Sequence, residues 1–181
     1  MEPIKFELTP FQATEQTAAV DISGSIVRKQ NNLSIDYLLS GDLSSVDIPA
    51  PATDRKRCDR LWEKTCFECF IRPANPISSH YWEFNLSPSG DWNVFSLSDY
   101  RANLQPEPAI ATLPFKTHRS PNQLQLHLSV DISPLIGQQD AHIGISTVLI
   151  LSGQESYWAI THPAPQADFH HPKSFILHLP G

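Results

Sequence analysis

A chain of 181 residues with 40% hydrophobic and 18% charged side chains is long enough to bury a substantial core and too apolar to read as disordered. Its net charge of -6 argues against a dedicated nucleic-acid binder, whose phosphate contacts need clustered Lys and Arg. No run approaches the ~18 apolar residues of a membrane-spanning helix. The start MEPIKFELTPFQAT also lacks the basic and apolar regions of an export signal, so a cytoplasmic protein without membrane partners is expected.

The chain reads as strands from end to end. Strand-like segments recur at 4–9, 18–28, 33–40, 61–71, 80–86, 91–97, 109–116, 123–130, 142–151, 155–161 and 174–179, each bounded by turn residues. The 16 prolines, against only 7 glycines, suit loops and sheet edges rather than helices. No repeat, low-complexity tract or linker interrupts the pattern, so 1–181 is expected to form one domain. Many short strands with almost no helical periodicity predict an all-β antiparallel sandwich or barrel of about ten or more strands. The helical candidate is 131–137, where Asp131 or Ser133 would cap a single turn ended by Gly137. The basic cluster Arg55, Lys56, Arg57 and Arg60 reads as a solvated loop.

Two segments carry the most information. In the first, Thr65, Phe67, Cys69 and Ile71 share one face, while Cys66, Glu68, Phe70 and Arg72 share the other. In the second, Trp82, Phe84 and Leu86 alternate with Tyr81, Glu83 and Asn85. The turn Ser87-Pro88-Ser89-Gly90 that follows matches type I. Beyond it the apolar phase slips, with Trp92 and Val94 on one parity and Phe95 and Leu97 on the other. Either a bulge or a strand buried on both faces produces that slip. If the two segments pair antiparallel through the loop 73–79, Phe67 and Cys69 must share a side with Trp82 and Phe84. Glu68 then joins Tyr81, Glu83 and Asn85 on the opposite side.

The blocks LWEKTCFECFIRP, YWEFNLSPSGDWNVFSLSDYR and SYWAITHPAPQADFHHPKSF together resemble the bacterial DOMON-like proteins, which are related in fold to the family 9 carbohydrate-binding modules. The resemblance spans residues 60 to 178. It implies a β-sandwich with a binding role on one sheet face, the ligands of the wider group being sugars or haem.

The expected site is therefore a ligand-binding face with Glu68, Arg72, Tyr81, Glu83, Asn85 and Arg101, joined by Trp158 and His162. Carboxylate, guanidinium, amide and aromatic groups supply the flat apolar surface and planar hydrogen-bonding groups that a carbohydrate-like ligand needs. No catalysis and no cofactor are expected. The plain alternative is a solvated or ion-paired face on a structural or protein-interaction module. Two neighbouring carboxylates also match the acid and nucleophile or base of a glycoside hydrolase. His162, Asp168, His170 and His171 form a metal-ligating candidate, although adjacent histidines on an extended chain point to opposite sides. Cys66 and Cys69 are formally a C-x-x-C, but on a strand they face opposite ways and read as buried thiols, with Cys58 a free loop thiol. Met1 is the only methionine, which leaves bis-His as the haem ligation to consider. No phosphate loop or nucleophile elbow is present.

Overall fold

Period-two alternation sets every second side chain of a strand against a facing layer, and the sequence is folded accordingly in the computed structural model, which describes residues 2–75 and 78–181. Met1 and part of the expected loop 73–79 lie outside the described residues. In chain order the strands are β1 (Ile4–Pro10), β2 (Val20–Lys29), β3 (Asn32–Gly41), β4 (Cys66–Pro73), β5 (Tyr81–Leu86) and β6 (Trp92–Leu97). They continue with β7 (Gln105–Pro106), β8 (Phe115–Ser120), β9 (Gln123–Asp131), β10 (Ala141–Leu151), β11 (Gln154–Ala159) and β12 (Leu177–Leu179). A one-turn helix, α1 (Ser133–Ile136), precedes Gly137. The expected cap by Asp131 or Ser133 is absent, since Ile132 holds the N-cap position without a side-chain bond; the Asp131 carboxylate instead accepts locally from the Ser133 N–H at 2.8 Å. Among the described residues no helix is long and apolar enough to cross a membrane.

All ladders are antiparallel. A back sheet runs β1-β2-β3-β9-β8 and a front sheet runs β7-β6-β5-β4-β10-β11, with β12 on the start of β10. Strand β1 belongs to both: Ile4 to Leu8 pair with β2, and Thr9 and Pro10 pair with β11. The antiparallel all-β fold expected from the sequence is the one present. Several details differ from the expectation. The segment 61–71 opens as a 3-10 turn at Leu61–Glu63 and is a strand only from Cys66, and 174–179 is a strand only over Leu177–Leu179. Strand β8 starts at Phe115, because the preceding Ile110 and Leu113 are buried as plugs in an irregular stretch. The two-residue β7 has no pattern long enough to read.

The main core lies between the sheets. The back sheet contributes Ile22, Ile35, Tyr37 and Leu126, and the front sheet Phe67, Phe84, Val94 and Ile145, all buried. Each such side chain stabilises the fold by about 1.5–3 kcal/mol. Tyr37 also links the layers directly, since its buried hydroxyl donates to the Glu68 carbonyl at 2.8 Å. Strands β4, β5 and β6 are buried on both faces rather than one. On their far side a second cluster of Phe70, Tyr81, Phe95, Leu97 and Phe175 forms, with Trp62 and Phe169 against it. The phase slip beyond Gly90 is thus two-sided burial and not a bulge: the register runs unbroken from Leu86 opposite Trp92 to Tyr81 opposite Leu97.

Two arginines act as internal staples. Arg57 is not solvated: its guanidinium lies 4.4 Å from the Trp92 ring centroid and donates to Asn93 Oδ1 and to the Val94 and Glu107 carbonyls. Arg28, 3% exposed, donates to the Gln30, Gly137 and Gln139 carbonyls. It ties the β2–β3 turn to the chain after α1. Arg28→Met keeps the apolar stem and removes every donor, so a loss of about 2–4 kcal/mol is expected in urea denaturation. An unchanged midpoint would show that water replaces these bonds without cost.

Candidate ligand-binding site

The register of the front sheet decides which side chains meet. Glu68 lies opposite Asn85 on one side and opposite Ser146 on the other, and Glu83 lies opposite Phe70. Phe67 and Cys69 do share the core side with Trp82 and Phe84, leaving Glu68, Tyr81, Glu83 and Asn85 together on the other side. That side is not a solvated face. Glu68 is 2% exposed, Glu83 4% and Asn85 0%, because three stretches of chain cover it.

The first is the turn Leu61–Glu63 with Trp62. The second is the loop after β6, which places Arg101 in the left-handed region at φ 51 with its N–H on the Tyr81 hydroxyl at 3.1 Å. The third is the segment after β11, which carries Asp168, Phe169, His170 and Phe175. Gly144 on β10 admits it: a Cβ there would stand 3.3 Å from the Ser174 carbonyl oxygen, so a larger residue would lift the cover.

Between sheet and cover lies a cavity of about 400 Å³. Trp62, Tyr157 and Phe169 provide its aromatic walls, and Leu97, Leu104 and Val148 its aliphatic ones. Glu68, Glu83, Glu155, Arg101 and His170 bring the polar groups. A larger hollow of about 750 Å³ lies on the back sheet. Its charged members, among them Lys5, Asp36 and His127, are all solvent-exposed, so it carries no desolvated group that asks for a ligand. The front cavity does.

Its polar groups are held in place. Ser146 Oγ donates to Glu68 Oε2 at 3.1 Å, and Asn85 Nδ2 donates to Glu83 Oε1 at 2.8 Å. Arg101 donates to Asp168 Oδ1 at 2.9 Å, and Tyr100 donates to the other oxygen at 2.7 Å. The Tyr81 hydroxyl, already accepting from Arg101, also hydrogen-bonds His170 Nδ1 at 2.8 Å. Burial, and then the nearby Glu83, push the Glu68 carboxyl well above the usual range. Burial raises Glu83 to about 7 against the pull of Asn85 and Arg101. Burial, and then Arg101, lower His170 to about 4. The 3.8 Å approach of His170 Nε2 to Glu83 is therefore not an ion pair at neutral pH, since the imidazole is uncharged there.

No protein-family model matches the sequence, and neither does any curated protein. Solved structures do resemble it. A protein from Bacteroides uniformis, provisionally named as carbohydrate-binding, superposes with TM-score 0.65 at 12% identity, over 93% of this chain and 84% of that one. A family 9 carbohydrate-binding module from Caldicellulosiruptor kristjanssonii, in complex with cellotriose, gives TM-score 0.50 at 9% identity over 90% and 75%. The fold is that of the family 9 carbohydrate-binding modules. At such identities the likeness establishes architecture, and the chemistry must come from this chain.

Of the residues expected from the sequence, Glu68, Glu83 and Arg101 line the cavity. Tyr81 and Asn85 stand behind its wall and position His170 and Glu83. Arg72 shares the face but lies beyond the cavity, its guanidinium 5.0 Å over the Phe175 ring. Trp158 is on the opposite face, buried in the main core opposite Thr147. Its neighbour Tyr157 takes the wall position. His162 binds the Thr9 carbonyl at 2.8 Å and packs on Phe11, away from the cavity. The metal candidates also separate. Asp168 holds Arg101, His171 Nδ1 accepts from the Lys173 N–H, and among the described residues no three His, Cys, Asp or Glu side chains converge on a metal position. Cys58, Cys66 and Cys69 are free thiols, and Cys66 donates to Asn85 Oδ1 at 3.6 Å. Trp62, Glu155, Tyr157 and Phe169 escaped the sequence reading. For Tyr157 and Glu155 the signal was available, because pairing β11 with β10 fixes their phase opposite Val148 and Ile150.

Proposed function

We propose that the front cavity binds a small polar molecule of carbohydrate type, without chemical conversion, and that the chain is a DOMON-like variant of this fold. One observation carries the reading: three aromatic walls surround buried hydrogen-bonding carboxyls in one cavity of about 400 Å³. Ligand pockets for small molecules measure about 300–1,000 Å³. Sugar rings present apolar C–H faces to aromatic rings and hydroxyls to carboxylates, so both halves of the site have a counterpart in the ligand. The lining supports the ligand class, as does the likeness in fold to a module in complex with cellotriose.

The test is a thermal-shift and calorimetric screen over mono- and disaccharides. At least one sugar is expected to raise the melting temperature, because a ligand that binds only the folded state stabilises it. Trp62→Ala is expected to weaken that sugar by about tenfold or more, as truncation of a central aromatic contact does. Chromogenic glycosides are expected to survive incubation. Turnover that disappears in Glu83→Gln would replace binding by hydrolysis. A screen with no shift would leave a structural or protein-interaction module as the reading.

A further inference from the structure

The two buried carboxyls are each satisfied at one oxygen only. Glu68 Oε2 and Glu83 Oε1 accept from Ser146 and Asn85. Among the described residues, Glu68 Oε1 and Glu83 Oε2 have no hydrogen-bond partner, His170 Nε2 at 3.8 Å from the latter being out of reach. Yet among the described residues no fully occluded side-chain oxygen or nitrogen lacks a partner. Both oxygens must therefore open onto the cavity that their side chains line. Side chains 2% and 4% exposed thus turn an unused acceptor inward.

The charges around them are lopsided. Glu155 adds a third carboxyl to the lining, its Oε2 taken by the Tyr157 hydroxyl. Against three acids the lining holds one guanidinium, Arg101, which Asp168 already neutralises at 2.9 Å. His170 spends Nδ1 on Tyr81 and stays uncharged. Among the described residues the lining offers no unpaired cation to the Glu68 and Glu83 pair.

Resting on the carbohydrate reading of this cavity, we infer that its ligand carries an ammonium group beside its hydroxyls, an amino sugar, and that this group sits between Glu68 Oε1 and Glu83 Oε2. A neutral sugar gives each oxygen a hydroxyl donor but leaves two like charges side by side in a desolvated site, which only a retained proton relieves. An ammonium brings three donors and a positive charge to one point, serving both acceptors and letting both carboxyls ionise. Arg101 pulls on Glu83, but paired with Asp168 it adds no net charge to the site. Glu155 adds to the negative potential that draws such a ligand in.

The experiment is calorimetry of the wild-type protein near neutral pH with matched pairs: glucosamine and glucose, galactosamine and galactose, mannosamine and mannose. In at least one pair the amine is expected to bind about tenfold tighter, the difference between a charge-assisted and a neutral hydrogen bond. N-acetylation, which removes the charge, is expected to abolish the advantage. Glu68→Gln, which keeps the shape and one acceptor, is expected to reduce the advantage, and the double variant Glu68→Gln with Glu83→Gln to bring both members of the pair to similar affinity. Neutral members binding as tightly as the amines in every pair would overturn the inference and leave the carbohydrate reading standing. No binding by any member would overturn both. An amine preference left undiminished by the double variant would overturn the placement of the ammonium group.

Discussion

Stability is expected to fall as pH rises from about 5 to above 7, and Glu68→Gln is expected to remove most of that fall. An acid whose folded-state pKa is raised holds its proton in the folded protein after the unfolded chain has lost it. Unfolding free energy then decreases with pH between the two values and levels off above the higher one. For Glu83 the window runs from the ordinary 4.5 to about 7, a loss of roughly 3 kcal/mol. Burial, and then Glu83, raise Glu68 from the same ordinary value, so it adds a second fall. His170 works in the opposite sense, because burial lowers it from 6.5 to about 4. Its unfolded form binds the extra proton, so this residue adds stability as pH rises across that window. One of the two falls is thereby cancelled up to about pH 6.5. The other fall leaves a net decrease of stability across that window. Urea denaturation at four pH values between 5 and 8.5 measures it. In Glu68→Gln, where the new amide still accepts from Ser146, the curve should run nearly flat to about 6.5. The variant should exceed wild type at pH 8. A flat wild-type curve with a variant weaker at every pH would mean that both carboxyls are ionised and compensated.

The register behind this expectation could be read from the sequence. Phe67 and Cys69 must face the same side as Trp82 and Phe84, and period two then leaves Glu68 with Glu83 and Asn85. What alternation could not show was the cover. A polar stripe such as Tyr81, Glu83 and Asn85 reads as solvated unless distant chain returns over it, and the returning parts have no periodic signature. Trp62 sits in a single 3-10 turn, Arg101 in a loop at positive φ, and Phe169 and His170 in an irregular segment. One clue was visible locally. The slip from Trp92 and Val94 to Phe95 and Leu97 is the mark of burial on both faces, and whatever buries Phe95 and Leu97 must also roof the acids beside them. Trp158 shows the opposite hazard: a tryptophan next to a polar cluster invites assignment to the site, yet strand parity gives the wall to Tyr157 and the core to Trp158.

Phe175→Ala is expected to cost about 3 kcal/mol, the low end for a large ring removed from packed surroundings, and to weaken the proposed sugar binding although Phe175 does not line the cavity. Its ring, 5% exposed, meets Tyr81 at 5.5 Å and Phe70 at 6.1 Å, both edge-on. The cluster it belongs to is separated from the main core by the front sheet itself, so its loss does not open the space between the sheets. The cover is otherwise tied down by few polar contacts: Asp168 to Arg101 and Tyr100, and His170 to Tyr81. Without the ring these polar contacts must hold the segment alone, and they are the kind that water replaces most readily. The segment should therefore open locally before the sandwich unfolds. Native-state hydrogen exchange separates the cases. Amides from 168 to 176 should exchange faster by a larger factor than those of β2 and β3, and affinity should drop because His170 and the Phe169 wall leave with the segment. Equal acceleration in cover and back sheet would instead make the two clusters one cooperative unit, with the cavity no more mobile than the core beneath it.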